Sequence, residues 1–457
     1  MTWVLFSVVP TVTAAPSGDA LFTGGGLDAV SVRGYVEARG AYTNADMTHW
    51  STTERFRPTM KVYLWDRVSV LATGEARLDQ GRYDTGEFLE AFRGSIESSL
   101  RDLSGNGPSL EEVIETCGWD ISLERNYTAT SDVLSMERLY VDFTLPSADI
   151  RLGRQSVNWG SALFLNPSDI FQQVLLAEPW QERAGIDAAR VNVPFGDSAR
   201  LTALVGVLDT DARQTSAAGT VPGVDLGGYD TVRGAVKGTV NVRQTDVSAL
   251  LSSDGSRHFA GADLRGDLSG PVPLGWWVES IYQLDTDGEE AVGAAKVAVG
   301  GDYSFNIFNR LYVAGQVYYD GTGEIPALYD WNSRQDPALV GVTPCEKYDD
   351  LPSFEAPEEY RLTLGKWYGL NVIQLEANEN LTFSNTVVIN LADQTGLMFP
   401  STAYTIGSRV SLNGGLQYLF GSDGEFSPPD FQLLVGEVNL APLQPTVTGL
   451  GWVRVSL

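Results

Sequence analysis

Stretches of about ten residues in which apolar and polar side chains alternate recur along almost the whole chain, and no other feature restricts its fold as strongly. Residues 30–39 place valines and small residues on one face and Arg33, Tyr35, Glu37 and Arg39 on the other. Residues 68–79 repeat the pattern, with Val68, Val70, Ala72, Ala76 and Leu78 opposite Ser69, Thr73, Glu75, Arg77 and Asp79. The same rhythm runs through 138–145, 199–207, 231–240, 258–268, 296–305, 310–319, 360–365 and 410–420. Very short connections join many of these segments in pairs, among them Asp66-Arg67, Pro146–Ala148, Phe195–Ser198, Asn241–Gln244, Asn306–Asn309 and Gly407-Ser408. The intervening connections are longer and polar. Short and long connections in alternation, with one apolar face per strand, predict an all-β, transmembrane antiparallel β-barrel. Hydrocarbon imposes this design, because every backbone polar group must pair inside a closed sheet while one face meets lipid.

A large soluble sandwich or β-helix also alternates. Against it stand the aromatic residues near strand ends on the apolar faces (Tyr303, Phe305, Tyr319, Tyr418, Phe420) and the lack of a fixed repeat. The segments number about 18, with 16 as the next choice because residues 378–405 can be divided in two ways. A barrel of that size encloses water rather than a packed core.

The charge balance narrows the function. The chain carries 31 Lys+Arg against 58 Asp+Glu, a net charge of −27, which disfavours binding to nucleic-acid phosphates. With two histidines, His49 and His258, and neither a Gly-x-Ser-x-Gly nor a His-Glu-x-x-His motif, an enzyme is not expected, nor a metal site or a cofactor. Residues 1–15, apolar and then small, read as the remnant of a secretory signal peptide. Residues 28–457 are expected to form one barrel domain with long insertions at 81–134, 161–184 and 320–359, its final strand alternating through Thr446–Leu457.

The first insertion has helical periodicity (Phe88, Phe92, Ile96, Leu100, Leu103) and a capping box at Ser109–Glu112, so helices are expected in the long loops. Insertions 81–134 and 320–359 carry net charges of −7 and −8, which suits divalent-cation contacts to surface lipopolysaccharide. Each holds one cysteine. Cys117 and Cys345 are expected to form a disulfide, two free thiols being the alternative. The polar faces differ from the loops in carrying many bases: Arg33, Arg39, Arg77, Arg138, Arg151, Arg200, Arg233, Lys237, Arg265 and Arg361 are the expected pore-lining residues. A ladder of arginines concentrates anionic solutes. Charge pairing across strands, with no selectivity, is the competing reading.

The most motif-like part of the chain is Asp149–Gly160, containing Gly153-Arg154-Gln155 and Trp159-Gly160, followed by Leu165-Asn166-Pro167-Ser168-Asp169-Ile170-Phe171. About 25 residues here resemble Gram-negative outer-membrane porin-like barrels, including alginate-export and phosphate-selective types. The resemblance implies a strand leading into a loop that enters the lumen, and a place in the outer membrane of a Gram-negative bacterium. Strand alternation puts Arg154 on the lipid side with Ile150 and Leu152, at a cost of about 2–4 kcal/mol near the midplane. A β-bulge at Gly153 would turn it inward. Arg154 and Gln155, with Trp159, are therefore the expected anchors of the inward loop. The expected function is a porin for small hydrophilic solutes, anionic ones as the finer expectation, with lipid and a second copy as the expected neighbours. Export of an anionic polysaccharide, or a structural or adhesive barrel, are the alternatives.

Overall fold

A computed structural model describes residues 29–44, 48–65, 67–84, 126–163, 165–171, 185–208, 231–268, 273–286, 292–323, 365–421, 426 and 447–456. Eighteen strands run in chain order: β1 (Ala29–Asn44), β2 (Thr48–Trp65), β3 (Val68–Asp84), β4 (Asn126–Thr144), β5 (Asp149–Gln155), β6 (Ile186–Phe195), β7 (Ala199–Leu208), β8 (Thr231–Val242) and β9 (Thr245–Ser253). They continue with β10 (Arg257–Leu268), β11 (Leu274–Asp285), β12 (Val292–Phe305), β13 (Arg310–Asp320), β14 (Trp367–Glu376), β15 (Leu381–Asn390), β16 (Gly396–Ile406), β17 (Val410–Phe420) and β18 (Val447–Ser456). Each strand pairs antiparallel with its chain neighbours, and β1 closes the sheet by pairing with both β2 and β18. The count of 18 holds: residues 378–405, which could be parsed two ways, supply β15 and β16 joined by a tight turn at 391–395. Closure removes the edges that an open sheet would expose to lipid.

The first insertion is shorter than the sequence suggests. β3 runs on to Asp84 and β4 begins at Asn126, so 81–84 and 126–134 are strand. Both stretches keep the alternation but are rich in polar side chains, which disguises long strands as loop. Strand 360–365 is only partly within the described residues, where Gly365 lies in a bend just before β14.

Face assignment follows from pairing, because directly opposed residues in a ladder point the same way. On one side lie Val205, Val236, Leu251, Val299 and Val317, all markedly exposed. Near strand ends this face carries aromatic pairs: Tyr303 edge-on to Phe305 at 4.5 Å and Tyr319 against Trp367 at 4.7 Å. A continuous apolar belt of this extent has no place in water. It is the wall that meets hydrocarbon. The other side holds buried polar groups such as Glu37, Arg55, Arg57, Glu75, Asp263 and Glu279. These point into the enclosed space.

Candidate functional site

β5 has only seven residues, and at Gln155 the chain leaves the wall and enters the barrel. The turn inward depends on Gly160: its φ is 95°, and a Cβ there would lie 2.2 Å from Asn166 Oδ1 and 2.5 Å from Glu279 Oε2. Only glycine adopts that conformation at no steric cost and lets the backbone come so close. Beyond it the loop spreads its apolar side chains over the inner wall. Val157, Trp159, Ile170 and Phe171 pack with Leu204, Phe259 and Ile281, and Trp159 meets Phe171 edge-on at 5.4 Å. Leu165 packs separately against Ala298, Tyr318, Tyr368, Leu370 and Val388. With about 1.5–3 kcal/mol for each large apolar side chain fully buried, these contacts make the loop part of the folded barrel.

Polar anchors fix its path. Glu279, with no exposed surface, accepts hydrogen bonds from the backbone N–H groups of Ser161 (2.9 Å), Ala162 (3.1 Å) and Ser168. Gln316 accepts from Leu163 N–H at 2.8 Å and from the Trp277 indole at 3.0 Å, and donates to the Leu165 carbonyl at 2.8 Å. The Ser161 hydroxyl donates to Asp263, whose second oxygen lies 3.4 Å from Lys237 Nζ. Arg233 donates to the Ile170 carbonyl, lies over the Phe259 ring, and pairs with Asp254 at 2.6 Å. Asp254 sits in the turn between β9 and β10. Burial pushes its carboxyl pKa up, but hydrogen bonds from Arg233 and the Arg257 N–H, with their charges, outweigh that and hold it below the usual carboxylate range. Residues 156–163 and 165–171 thus lie against the inner faces of β7–β15, and that part of the wall is covered.

The wall of β2–β7 has a different chemistry. Its inner face carries Arg55, Arg57, Lys61, Arg77, Arg138, Arg151, Arg190 and Arg200 against Glu75, Asp79, Glu137, Asp142 and Asp149. Glu75 is shared by Arg55 at 3.2 Å and Arg57 at 3.6 Å. Arg151 chelates Asp142 at 2.6 and 3.0 Å while lying 3.9 Å over Tyr140. Arg190 stands directly opposite Arg151 in the ladder. The Nε atoms of Arg138 and Arg190 are buried with no hydrogen-bond partner. Near the short-turn end a cleft of about 350 Å³ opens between Lys61, Ser69, Asp142, Arg151, Arg190 and Asn192. Across the barrel β9–β14 present Asp246, Asp263, Asp267, Glu279, Asp285, Asp302, Asp320 and Glu376 against Arg257, Arg265, Lys296 and Arg310. One side of the lumen is basic and the other acidic.

The register puts Arg33, Arg39, Arg77, Arg138, Arg151, Arg200, Arg233, Lys237 and Arg265 on the inner face. Arg233 and Lys237 are engaged with the loop and its anchor Asp263, so they belong to the covered wall. Arg361, Cys117, Cys345 and the helical periodicity after residue 85 lie outside the described residues. Arg55, Arg57 and Lys61 escape the sequence reading because Pro58 interrupts an otherwise regular alternation across Thr53–Lys61.

The expected inward turn of Arg154 does not occur. Gly153 does have φ 117°, yet the β4–β5 ladder stays in register from Thr144/Asp149 to Leu139/Arg154, with no bulge to rotate the side chain. The register slips instead in β4, where Glu137 is the extra residue between Met136 and Arg138. Arg154 remains on the lipid side, offset by a partner: its guanidinium grips Asp187 of β6 at 2.9 and 3.2 Å and donates to the Met136 carbonyl at 3.3 Å. Gln155, fully buried, donates to the Gly153 and Ala188 carbonyls and so fastens the β5–β6 seam, not the loop. Trp159 is part of the loop and holds it through the apolar cluster. His258 faces outward at the strand end, 2.9 Å from the Ser253 hydroxyl.

A closed 18-strand antiparallel barrel with an apolar outer wall, a polar interior and an infolded loop is the fold of a transmembrane β-barrel, and that is the class this architecture defines. Among solved structures the chain is similar to Pseudomonas aeruginosa OccK5 (OpdH), with a TM-score of 0.51 and 10% identity over 93% of this chain and 98% of that one. It also matches a BenF-like porin from Pseudomonas fluorescens Pf-5 (TM-score 0.48, 11% identity, 95% and 100% covered) and Acinetobacter baumannii OccAB1 (0.48, 12%, 93% and 96%). The likeness to OccK5 carries the fold. No family model matches the sequence, and no curated protein does.

Proposed function

We propose that the protein is a diffusion channel of a Gram-negative outer membrane, passing small hydrophilic solutes and favouring those that carry negative charge. The observation that carries this reading is the unequal lumen: the loop covers the wall of β7–β15, while the arginines of β2–β7 are the principal charges of the remaining inner surface. Field lines in a low-dielectric tube concentrate beside such a wall, which raises the local level of anions. Arg151 and Arg190, directly opposed in the ladder, set two guanidinium groups side by side on this wall, a pairing that suits an anionic solute. The lumen arginines of the sequence reading other than Arg233, Arg361 among them, belong to this proposal, as does the porin resemblance in its finer, phosphate-selective form. Purified protein in a planar bilayer is expected to give discrete conductance steps that millimolar phosphate or a small dicarboxylate blocks. Silent bilayers, or block by cations alone, contradict it.

A further inference from the structure

The lipid-facing pair Arg154 and Asp187 marks the one place in the described wall where a strand stops halfway and its chain turns into the lumen. We infer that the two residues form a clasp on the outside of the barrel that closes the base of the loop and so positions the constriction within. Gln155 and Ile186 are the last opposed residues before the loop departs and the first after it returns, and Arg154 and Asp187 are the next pair down the ladder. The clasp therefore sits one step from both stems of the loop.

Its geometry spans three strands. Two nitrogens of Arg154 on β5 hold the two carboxylate oxygens of Asp187 on β6, and a third reaches the Met136 carbonyl on β4. Just beyond, Gly185 takes the position that β5 has vacated. A Cβ there would lie 2.1 Å from the Glu137 carbonyl oxygen and 2.6 Å from Arg154 Cγ, so β6 enters the wall in direct contact with β4. Glu137 is the bulge residue of β4, which places the irregularities of all three strands at one junction. A guanidinium suits such a junction, because its planar fork satisfies a carboxylate bidentately and still has a donor left for a carbonyl whose ladder partner has departed. The pair faces hydrocarbon, where no water competes with these bonds. Aliphatic groups could tile the surface equally well, but they could not tie β4 to β6.

The inference rests on the pore reading for its consequence, and the experiment separates the two. Arg154→Met/Asp187→Leu removes both charges and leaves a wall compatible with lipid, while Arg154→Asp/Asp187→Arg restores the pair with its polarity reversed. Both variants are expected to keep the heat-modifiable gel mobility of a folded barrel. In the apolar variant, amide hydrogen exchange at Ser161, Ala162 and Ser168 is expected to quicken at least tenfold, and single-channel traces to gain flicker and larger steps. The swapped variant is expected to return both to the wild-type values. Unchanged exchange in the apolar variant overturns the clasp whatever the conductance. Wild-type protein that shows protected amides but no conductance refutes the channel and leaves the clasp standing.

Discussion

The two halves of the barrel interior solve the same problem in opposite ways. Both must satisfy inward-facing polar groups without a packed core. The wall of β8–β13 does so with the chain itself: Glu279, Gln316, Asp263 and Arg233 bind backbone groups and a hydroxyl of the infolded loop, which covers the wall there. The wall of β2–β7 pairs some of its arginines with Glu75 and Asp142, has more bases than acids, and leaves nitrogen donors of Arg138 and Arg190 unanswered. Buried donors without partners cost free energy unless water or a solute supplies an acceptor. The difference teaches that one wall spends its polar groups on the chain's own loop, while the other keeps basic charge in excess of its acidic partners.

The largest effect is expected from dismantling the saturated side. Glu279→Leu removes the acceptor of three backbone N–H groups, each bond to a charged group being worth about 1.5–3 kcal/mol. The loop should leave its bed, and single-channel conductance should rise severalfold in bilayer recordings. An unchanged conductance would mean that the loop is not the constriction. Gly160→Ala attacks the same contact from the loop side: at φ 95°, with Glu279 and Asn166 in the way, it should cost about 1–3 kcal/mol. A smaller but similar rise in conductance, with loosened amide protection near Ser161, would show it.

Next comes the contrast of charge. Arg138→Gln combined with Arg190→Gln should lower the anion-to-cation permeability ratio severalfold, measured from reversal potentials. Asp302→Asn on the facing wall, where Tyr312 already donates to that carboxylate at 3.1 Å, should change it far less. Equal effects from both walls would erase the distinction between them.

The smallest effect concerns Asp254. Its folded pKa is depressed, so the stability it contributes is complete above the unfolded value of about 3.9 and is lost as pH falls through the lower folded value. Acidification below about pH 4 should therefore loosen the Arg233–Ile170 contact, seen as added current noise, and Asp254→Asn should remove that step in the pH profile.

The strand rhythm and the count of 18 were legible because each has a local signature, period-two alternation and short turns, while the inward loop was expected only through the porin resemblance of the Gly-Arg-Gln to Asn-Pro stretch. The anchors were not. Glu279 is 118 residues from Ser161 in sequence, and on its strand it is one more inward acid, indistinguishable from a solvated lumen charge. The division into basic and acidic walls stays hidden while lumen charges are pooled, although strand order alone decides which charges are neighbours. Arg154 was misjudged for a physical reason: alternation placed it correctly toward lipid, but the cost of a lone charge there argued for a bulge, and its partner Asp187 lies 33 residues away.

The reversal potential of the wild-type channel in a salt gradient of potassium chloride, recorded across a neutral planar bilayer, bears most directly on the claim that the arginine wall is the path. A potential of the sign set by chloride, collapsing toward zero when Arg138 and Arg190 are neutralised together, is the predicted result. A potential of the sign set by potassium, or one indifferent to those two residues, would contradict it.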